Sequence, residues 1–225
     1  SSEGTENTTA ATEEPESEEP AESGDADSYT IGICQMLEHP ALDAATGGFQ
    51  DACKEKFGED KVTFDLQNAQ GEQAMCSTIA NNFVSADVDL ILANATLPLQ
   101  TAAQATSEIP IMGTSITDYA TALEISDWTG ATGVNISGTS DLAPIDEQAD
   151  MTVELLPDVK TVGILYCSAE PNSKYQADLY TEAMKEKNVE CKEFTVADSN
   201  EIQSVVTSAI EQCEALYIPT DNTIA

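Results

Sequence analysis

From residue 29 onward, short runs of apolar and β-branched residues alternate with longer stretches whose apolar positions fall three or four apart. The first pattern predicts buried strands and the second predicts amphipathic helices. Residues 29–35 carry Tyr29, Ile31 and Ile33 beside Gly32, which predicts a strand buried on both faces. Glu38 and His39 then form a polar loop. Pro40 opens a helix, where its missing N–H costs nothing. That helix runs to Phe57, with Leu42, Ala45, Phe49, Ala52, Cys53 and Phe57 at helical spacing. The alternation continues with strands over 61–66, 88–93 and 109–113, separated by helices over 71–86 and 97–105. A fifth strand is expected over 132–136, with the turn-rich NISGTSD after it. Next come a helix over 144–156, strands over 161–166, 189–195 and 215–218, and helices over 173–187 and 200–213.

This order predicts an α/β protein built as two lobes of β-α-β units. The first lobe is expected over 29–136 and the second over 137–225. Residues 1–28 hold ten acidic residues, no basic ones and no large apolar side chain. Such a stretch cannot bury enough surface to offset its ordering entropy, so it is expected to be a disordered acidic tether. Three strands are few for a sheet, and the chain stops after a strand and a polar turn, where a helix is expected. The second lobe therefore reads as incomplete at its C-terminus. A Ser-rich start without Met reads as the product of processing or of an engineered boundary.

Charge narrows the partners. The formal net charge is −33; Lys supplies all 8 positive charges, and there is no Arg. Phosphate neutralisation needs a basic patch, so nucleic acid is excluded as a partner, as is charge-driven binding to an anionic membrane. A ligand carboxylate cannot meet an Arg fork here; it needs Lys, hydroxyls or backbone N–H groups at helix N-termini. The six Cys are scattered, and with a single His they make no zinc pattern. They read mostly as buried thiols rather than bridges.

In an open parallel sheet, ligands bind beyond the carboxyl ends of the strands. Those ends carry 35–43, then Asn94-Ala95-Thr96, then Thr114-Ser115-Ile116-Thr117-Asp118 in the first lobe. In the second lobe they carry residues 167–173 and 220–223. Hydroxyls and amides there cap helices in the ordinary way, yet five such loops converge on one cleft. Ser/Thr hydroxyls and free N–H groups suit a carboxylate. Glu38, Asp118, Glu170 and Asp221 suit an ammonium, so a zwitterion matches both sets. Catalysis finds no support: no nucleophile elbow, phosphate loop, dinucleotide fingerprint or zinc-protease motif is present. His39 is the sole His; it orients its loop, touches a ligand or, least in keeping with the rest, serves as a base. No enzyme activity and no cofactor are expected.

The runs IGICQMLEHPALDAATGGFQD, VDLILANATLPLQTAAQAT, IPIMGTSITDYATA, TGVNISGTSDLAPIDEQ, KTVGILYCSAEPNS and ALYIPTDNT resemble the substrate-binding lipoproteins of ABC transporters for aromatic amino acids. The resemblance spans residues 29–225 in order; singly, only EHPALD and the SxEPNS loop are specific. It implies a type I periplasmic-binding-protein fold, two Rossmann-like lobes closing on a ligand. By this resemblance Ala95, Thr96, Thr114, Ser115 and Thr117 receive the ligand carboxylate, with Asn94 and Asp118 in the same loops. Asp221 takes the ammonium, with Glu170 or Glu38 as alternatives. Ser168, Asn172, Ser173 and Asn222 complete the polar shell. Glu38, His39 and Leu42 line the side-chain pocket, with Tyr119 and Tyr166 as candidate stacking walls and Trp128 as packing.

The implied protein is a monomer outside the cytoplasmic membrane, tethered by a lipid on a Cys preceding residue 1. It delivers a small hydrophobic, aromatic amino acid to an ABC permease and its ATPase. The competing reading is a sensory domain that binds another small molecule, such as a branched-chain amino acid, nucleoside or sugar, without transport.

Overall fold

The computed structural model describes residues 28–224, so the acidic segment expected at 1–28 lies, but for Ser28, outside the described residues. Among the described residues eight strands alternate with helices and form two separate all-parallel sheets. The first sheet contains β1 (Tyr29–Gln35), β2 (Val62–Asn68), β3 (Leu90–Asn94), β4 (Ile111–Ile116) and β5 (Ile136–Ser140), in the order β2-β1-β3-β4-β5. The second contains β6 (Thr161–Cys167), β7 (Glu190–Val196) and β8 (Ala215–Tyr217), in the order β7-β6-β8.

The first sheet is crossed by α1 (Pro40–Phe57), α2 (Gln73–Ser85), α3 (Thr96–Ala105) and a single turn, α4 (Tyr119–Ala122). The second is crossed by α5 (Ile145–Leu155), α6 (Pro171–Glu186) and α7 (Ile202–Ile210). Among the described residues no helix is long and apolar enough to cross a membrane.

Strand β1 is paired on both sides, by β2 and β3. Its last five residues are all buried, as a central parallel strand requires. Gly32 permits this packing: a Cβ there would lie 2.6 Å from Cγ of Phe83, a fully buried ring on α2. The second lobe has its own core, in which Tyr180 and Tyr217 stack with ring centroids 3.7 Å apart. All six cysteines are free thiols, four buried and two half-buried.

The fifth strand departs from expectation. It occupies Ile136–Ser140 rather than 132–136, so the segment read as turns is the strand. The boundary expected after Ile136 therefore falls inside β5, and residues 137–140 pair with the first sheet. Only Ile136 of β5 is buried; the other four residues are exposed, so no apolar run marks the strand. Backbone pairing to β4 and one close approach define it. At Gly138 (φ 152°) a Cβ would fall 2.1 Å from the Gly113 carbonyl oxygen and from the Tyr119 hydroxyl, so glycine is required.

Candidate functional site

The loop after β1 is held by a buried amide–hydroxyl network. Gln35 donates to the Leu37 carbonyl (2.8 Å) and to Asp43 (2.6 Å), and it accepts from Thr46 (2.7 Å). Asn94, fully buried at the end of β3, donates to the Leu42 carbonyl (2.8 Å) and to the Thr46 hydroxyl (3.0 Å). Asn94 therefore braces α1 from behind and does not line the cleft. His39 caps α1, its Nδ1 accepting from the Ala41 N–H at 3.2 Å. Its ring also forms cleft wall, beside Leu37, Ala41 and Leu42. One residue earlier, Glu38 is exposed and turns to a separate groove beside Gln35, Asp43 and Gln50. It is removed from the side-chain pocket expected to hold it.

Two strained residues follow at the ends of β3 and β4. Ala95 sits at φ 98°, ψ 167°, a region essentially confined to glycine, and is 2% exposed. Its N–H donates to the Thr114 carbonyl (3.0 Å), and its carbonyl accepts from Leu99. Helix geometry leaves the N–H groups of Thr96 and Leu97 without partners four residues back, and Pro98 has none to offer. Ser115 adopts φ 57° where the β4–β5 register shifts between Gly113 and Ile116. Strain of this kind persists where surrounding structure over-determines it, often at ligand sites. Ser115 and Thr117 face the cleft. Thr96 is buried, and Thr114 contributes its carbonyl rather than cleft wall. Asp118 is a cap, accepting from the Thr121 N–H at 2.7 Å to start α4.

Across the cleft, the loops after β6 and β8 are knitted together by two buried carboxylates. Glu170 accepts from the Asn222 N–H (2.9 Å), the Asn222 amide (2.7 Å), the Asn172 amide (3.2 Å) and the Thr223 hydroxyl (2.8 Å). Asp221 accepts from the N–H groups of Cys167 (2.7 Å), Thr223 (2.9 Å) and Ile224 (3.0 Å). Burial, and then the charge of Asp221, push the Glu170 carboxyl above its ordinary value; the hydrogen bonds from Asn222 and Thr223 partly offset this. Asn172 and Asn222 line the cleft with Asp221. Ser173 is fully buried and accepts from Asn172. Ser168 is exposed, donates to the Val196 carbonyl at 3.3 Å and lies outside the cleft lining.

The cleft has two compartments at the carboxyl ends of both sheets. The smaller, of about 90 Å³, is lined by Leu37, His39, Leu42, Ser115, Thr117 and Asn172, together with Ala41, Asp141 and residues 220–222. The larger, about 520 Å³, shares Leu37 and Asn222 with it and adds Met36 and Leu97, with Gln70, Gln73, Glu170 and Asp198 among its polar groups. One wall is apolar, hydroxyl and N–H; the other supplies acceptors.

The candidate stacking tyrosines stand elsewhere. Tyr119 donates to the carbonyls of Gly113 (3.1 Å) and Thr139 (3.3 Å). Tyr166 donates to Glu193 at 2.6 Å. Trp128, expected to be packing, is 42% exposed and edges a separate groove of about 450 Å³ over β5. Sequence reasoning placed Leu37, Ala41 and Thr220 in cleft-facing loops without giving them individual roles, and it missed Asp141, Leu97, Gln70, Gln73 and Asp198 as cleft residues. Asp141 directly follows β5 and would have been found had NISGTSD been read as a strand. No cluster of three or more His, Cys, Asp or Glu that could hold a metal ion is present among the described residues.

Comparison with known proteins places this arrangement. The family described as ABC transporter substrate binding protein matches residues 30–225. A curated relative, a tyrosine-binding protein of Clostridioides difficile (strain R20291), is 38% identical over 196 residues, covering 86% of this chain and 56% of its own length. The chain thus spans little more than half of that relative. A Streptococcus pneumonia ABC domain solved in complex with L-Trp is 34% identical with a TM-score of 0.83, over 88% of this chain and 67% of that one. The ligand-free, open structure of a Clostridium difficile substrate-binding protein with adhesive properties is 35% identical with a TM-score of 0.61, over 87% and 67%.

Proposed function

Because this chain belongs to the family of ABC transporter substrate-binding proteins, whose fold is the type I periplasmic-binding-protein fold, we propose that it captures an α-amino acid with an aromatic side chain between its two lobes and hands it to an ABC importer. The observation that carries this reading is the opposition of two walls across one cleft. The first lobe offers Ser115 and Thr117 hydroxyls, beside the α3 N-terminus that begins at Thr96. The second offers Asn172, Asp221 and Thr220, with Oδ1 of Asn172 left without a partner among the described residues. A zwitterion bridges such walls, and lobe closure around it needs no chemical step. Met36, Leu37 and Leu97 give the larger compartment its apolar lining. Two relatives, one named for tyrosine and one solved with L-Trp, support an aromatic ligand.

The lobes here superimpose better on the L-Trp complex than on the open, ligand-free relative, at near-equal identity. This supports a closed arrangement, and closure accounts for the small volume of the inner compartment. The proposal extends to an extracytoplasmic location, which the family match supports, and to a lipid tether, for which the acidic, apolar-poor residues 1–28 suit the part of a spacer. Mass spectrometry of the native protein tests the tether: a diacylglyceryl mass supports it, and an unlipidated native protein refutes it.

Isothermal titration with the twenty amino acids, a nucleoside and a sugar tests the ligand class, on this chain and on a version extended to the length of its relatives. Tryptophan, tyrosine or phenylalanine is expected to bind at least tenfold tighter than leucine. Preference for leucine, a nucleoside or a sugar overturns the aromatic assignment.

A further inference from the structure

Resting on the reading of an amino-acid ligand, the geometry points to Oδ1 of Asn172 as the acceptor of the ligand's ammonium, with that cation serving as counter-ion to the buried Glu170–Asp221 pair.

Asn172 is the second residue of α6 and is 5% exposed at the cleft wall. Its Nδ2 donates toward Glu170 Oε2 (3.2 Å), Ser173 Oγ (3.3 Å) and the Thr220 carbonyl (3.2 Å). Two of these three atoms, a carboxylate oxygen and a carbonyl oxygen, accept only. Flipping the amide would set oxygen against oxygen, so its orientation is fixed. Oδ1 is left buried with no partner among the described residues. Asn172 is a cleft-lining residue, and its uncompensated carbonyl oxygen is where a donor is missing.

The acidic candidates are already committed. Asp221 spends its oxygens on three backbone N–H groups, and Glu170 spends its own on four donors. What they lack is positive charge. Lys174 pairs with Asp178 and Glu193, and Lys187 with Asp150. The Glu170 carboxyl is raised first by burial and then by the neighbouring Asp221 charge, and no cation is among the groups that offset this. A primary ammonium on Oδ1 of Asn172 brings a cation beside both carboxylates and keeps further N–H donors for Asp141, an exposed carboxylate in the same compartment. Asn172 thereby becomes the residue that separates amines from their deaminated analogues.

The test is a ligand-and-variant cycle on the chain extended to the length of its relatives. Tryptophan and indole-3-propionate, which lacks the amine, are titrated into the unsubstituted protein and into Asn172→Ala. The unsubstituted protein is expected to prefer tryptophan by 100-fold or more, and Asn172→Ala to cut that ratio about tenfold or more. An unchanged ratio, with both ligands weakened alike, assigns Asn172 a packing role and overturns the inference while amino-acid binding stands. Failure of the unsubstituted protein to bind tryptophan, tyrosine or phenylalanine overturns the ligand reading and this inference with it. If Asn172→Ala does not fold, the side-chain amide resonances of Asn172 in the unsubstituted protein decide. They are expected to shift with tryptophan and far less with indole-3-propionate; equal shifts overturn the inference.

Discussion

Adding one methyl group at Gly32 drives it into the ring of Phe83. The built Cβ lies 2.6, 2.7 and 2.8 Å from Cγ, Cδ2 and Cδ1 of that ring, far inside contact distance. Neither side can yield cheaply. Gly32 sits on β1, paired by β2 and β3, and Phe83 is fully buried in the first-lobe core. Overpacking of this kind costs about 1–3 kcal/mol, and three simultaneous clashes place Gly32→Ala at the upper end, about 2–3 kcal/mol. For a domain of this size each kcal/mol moves the melting midpoint by about 2–4 °C, so a fall of about 4–12 °C is expected. Phe83→Leu alone removes buried ring atoms and costs about 1–2 kcal/mol. Combined, the smaller side chain makes room for the new methyl, and the double variant should be more stable than the sum of its parts by about 1 kcal/mol or more. Thermal and urea unfolding of the four proteins, followed by far-ultraviolet circular dichroism, measures this. Additivity, or a Gly32→Ala variant within about 0.5 kcal/mol of the parent, would refute the packing argument.

Glu170→Gln tests the buried carboxylate. A carboxyl raised above its ordinary 4.5 binds more protons folded than unfolded, so its contribution to stability falls as pH rises from 4.5 through the raised value. The melting midpoint of the parent should therefore decline relative to Glu170→Gln as pH climbs through that interval; parallel profiles would contradict the raised value. Asn94→Ala strips the donors from the Leu42 carbonyl and Thr46 and should cost about 1–3 kcal/mol in urea unfolding; a loss under about 0.5 kcal/mol would deny Asn94 its bracing role. Ser115→Val places a β-branched residue at φ 57° and should cost about 1–3 kcal/mol, whereas Ser115→Gly should melt no lower than the parent; equal midpoints for the two would show that the turn is unstrained.

Much of the architecture was legible because parallel strands announce themselves as apolar runs. VDLILA and TVGILY need both faces buried, and Leu90–Asn94 and Thr161–Cys167 are strands. Strand β5 was illegible for the opposite reason. Its place is set by pairing and by the room a glycine leaves for the Tyr119 hydroxyl, neither of which writes an apolar pattern. The cleft's location followed from the strand ends, but the individual roles did not. A polar residue there caps a helix as readily as it meets a ligand. Asp118, Asn94 and Glu170 proved to be cap, brace and loop anchor. Glu38 and His39 are neighbours in sequence, yet one faces solvent at a side groove and the other the cleft. Only the turn between β1 and α1 decides which.

The central claim is that one ligand is gripped by both lobes at once. Hydrogen–deuterium exchange of the extended chain, with and without tryptophan or tyrosine, tests it most directly. The account predicts slower exchange over residues 37–42 and 115–117 of the first lobe and, at the same ligand concentration, over 168–173 and 220–223 of the second. Protection confined to one lobe, or centred on the groove beside Trp128, would contradict it.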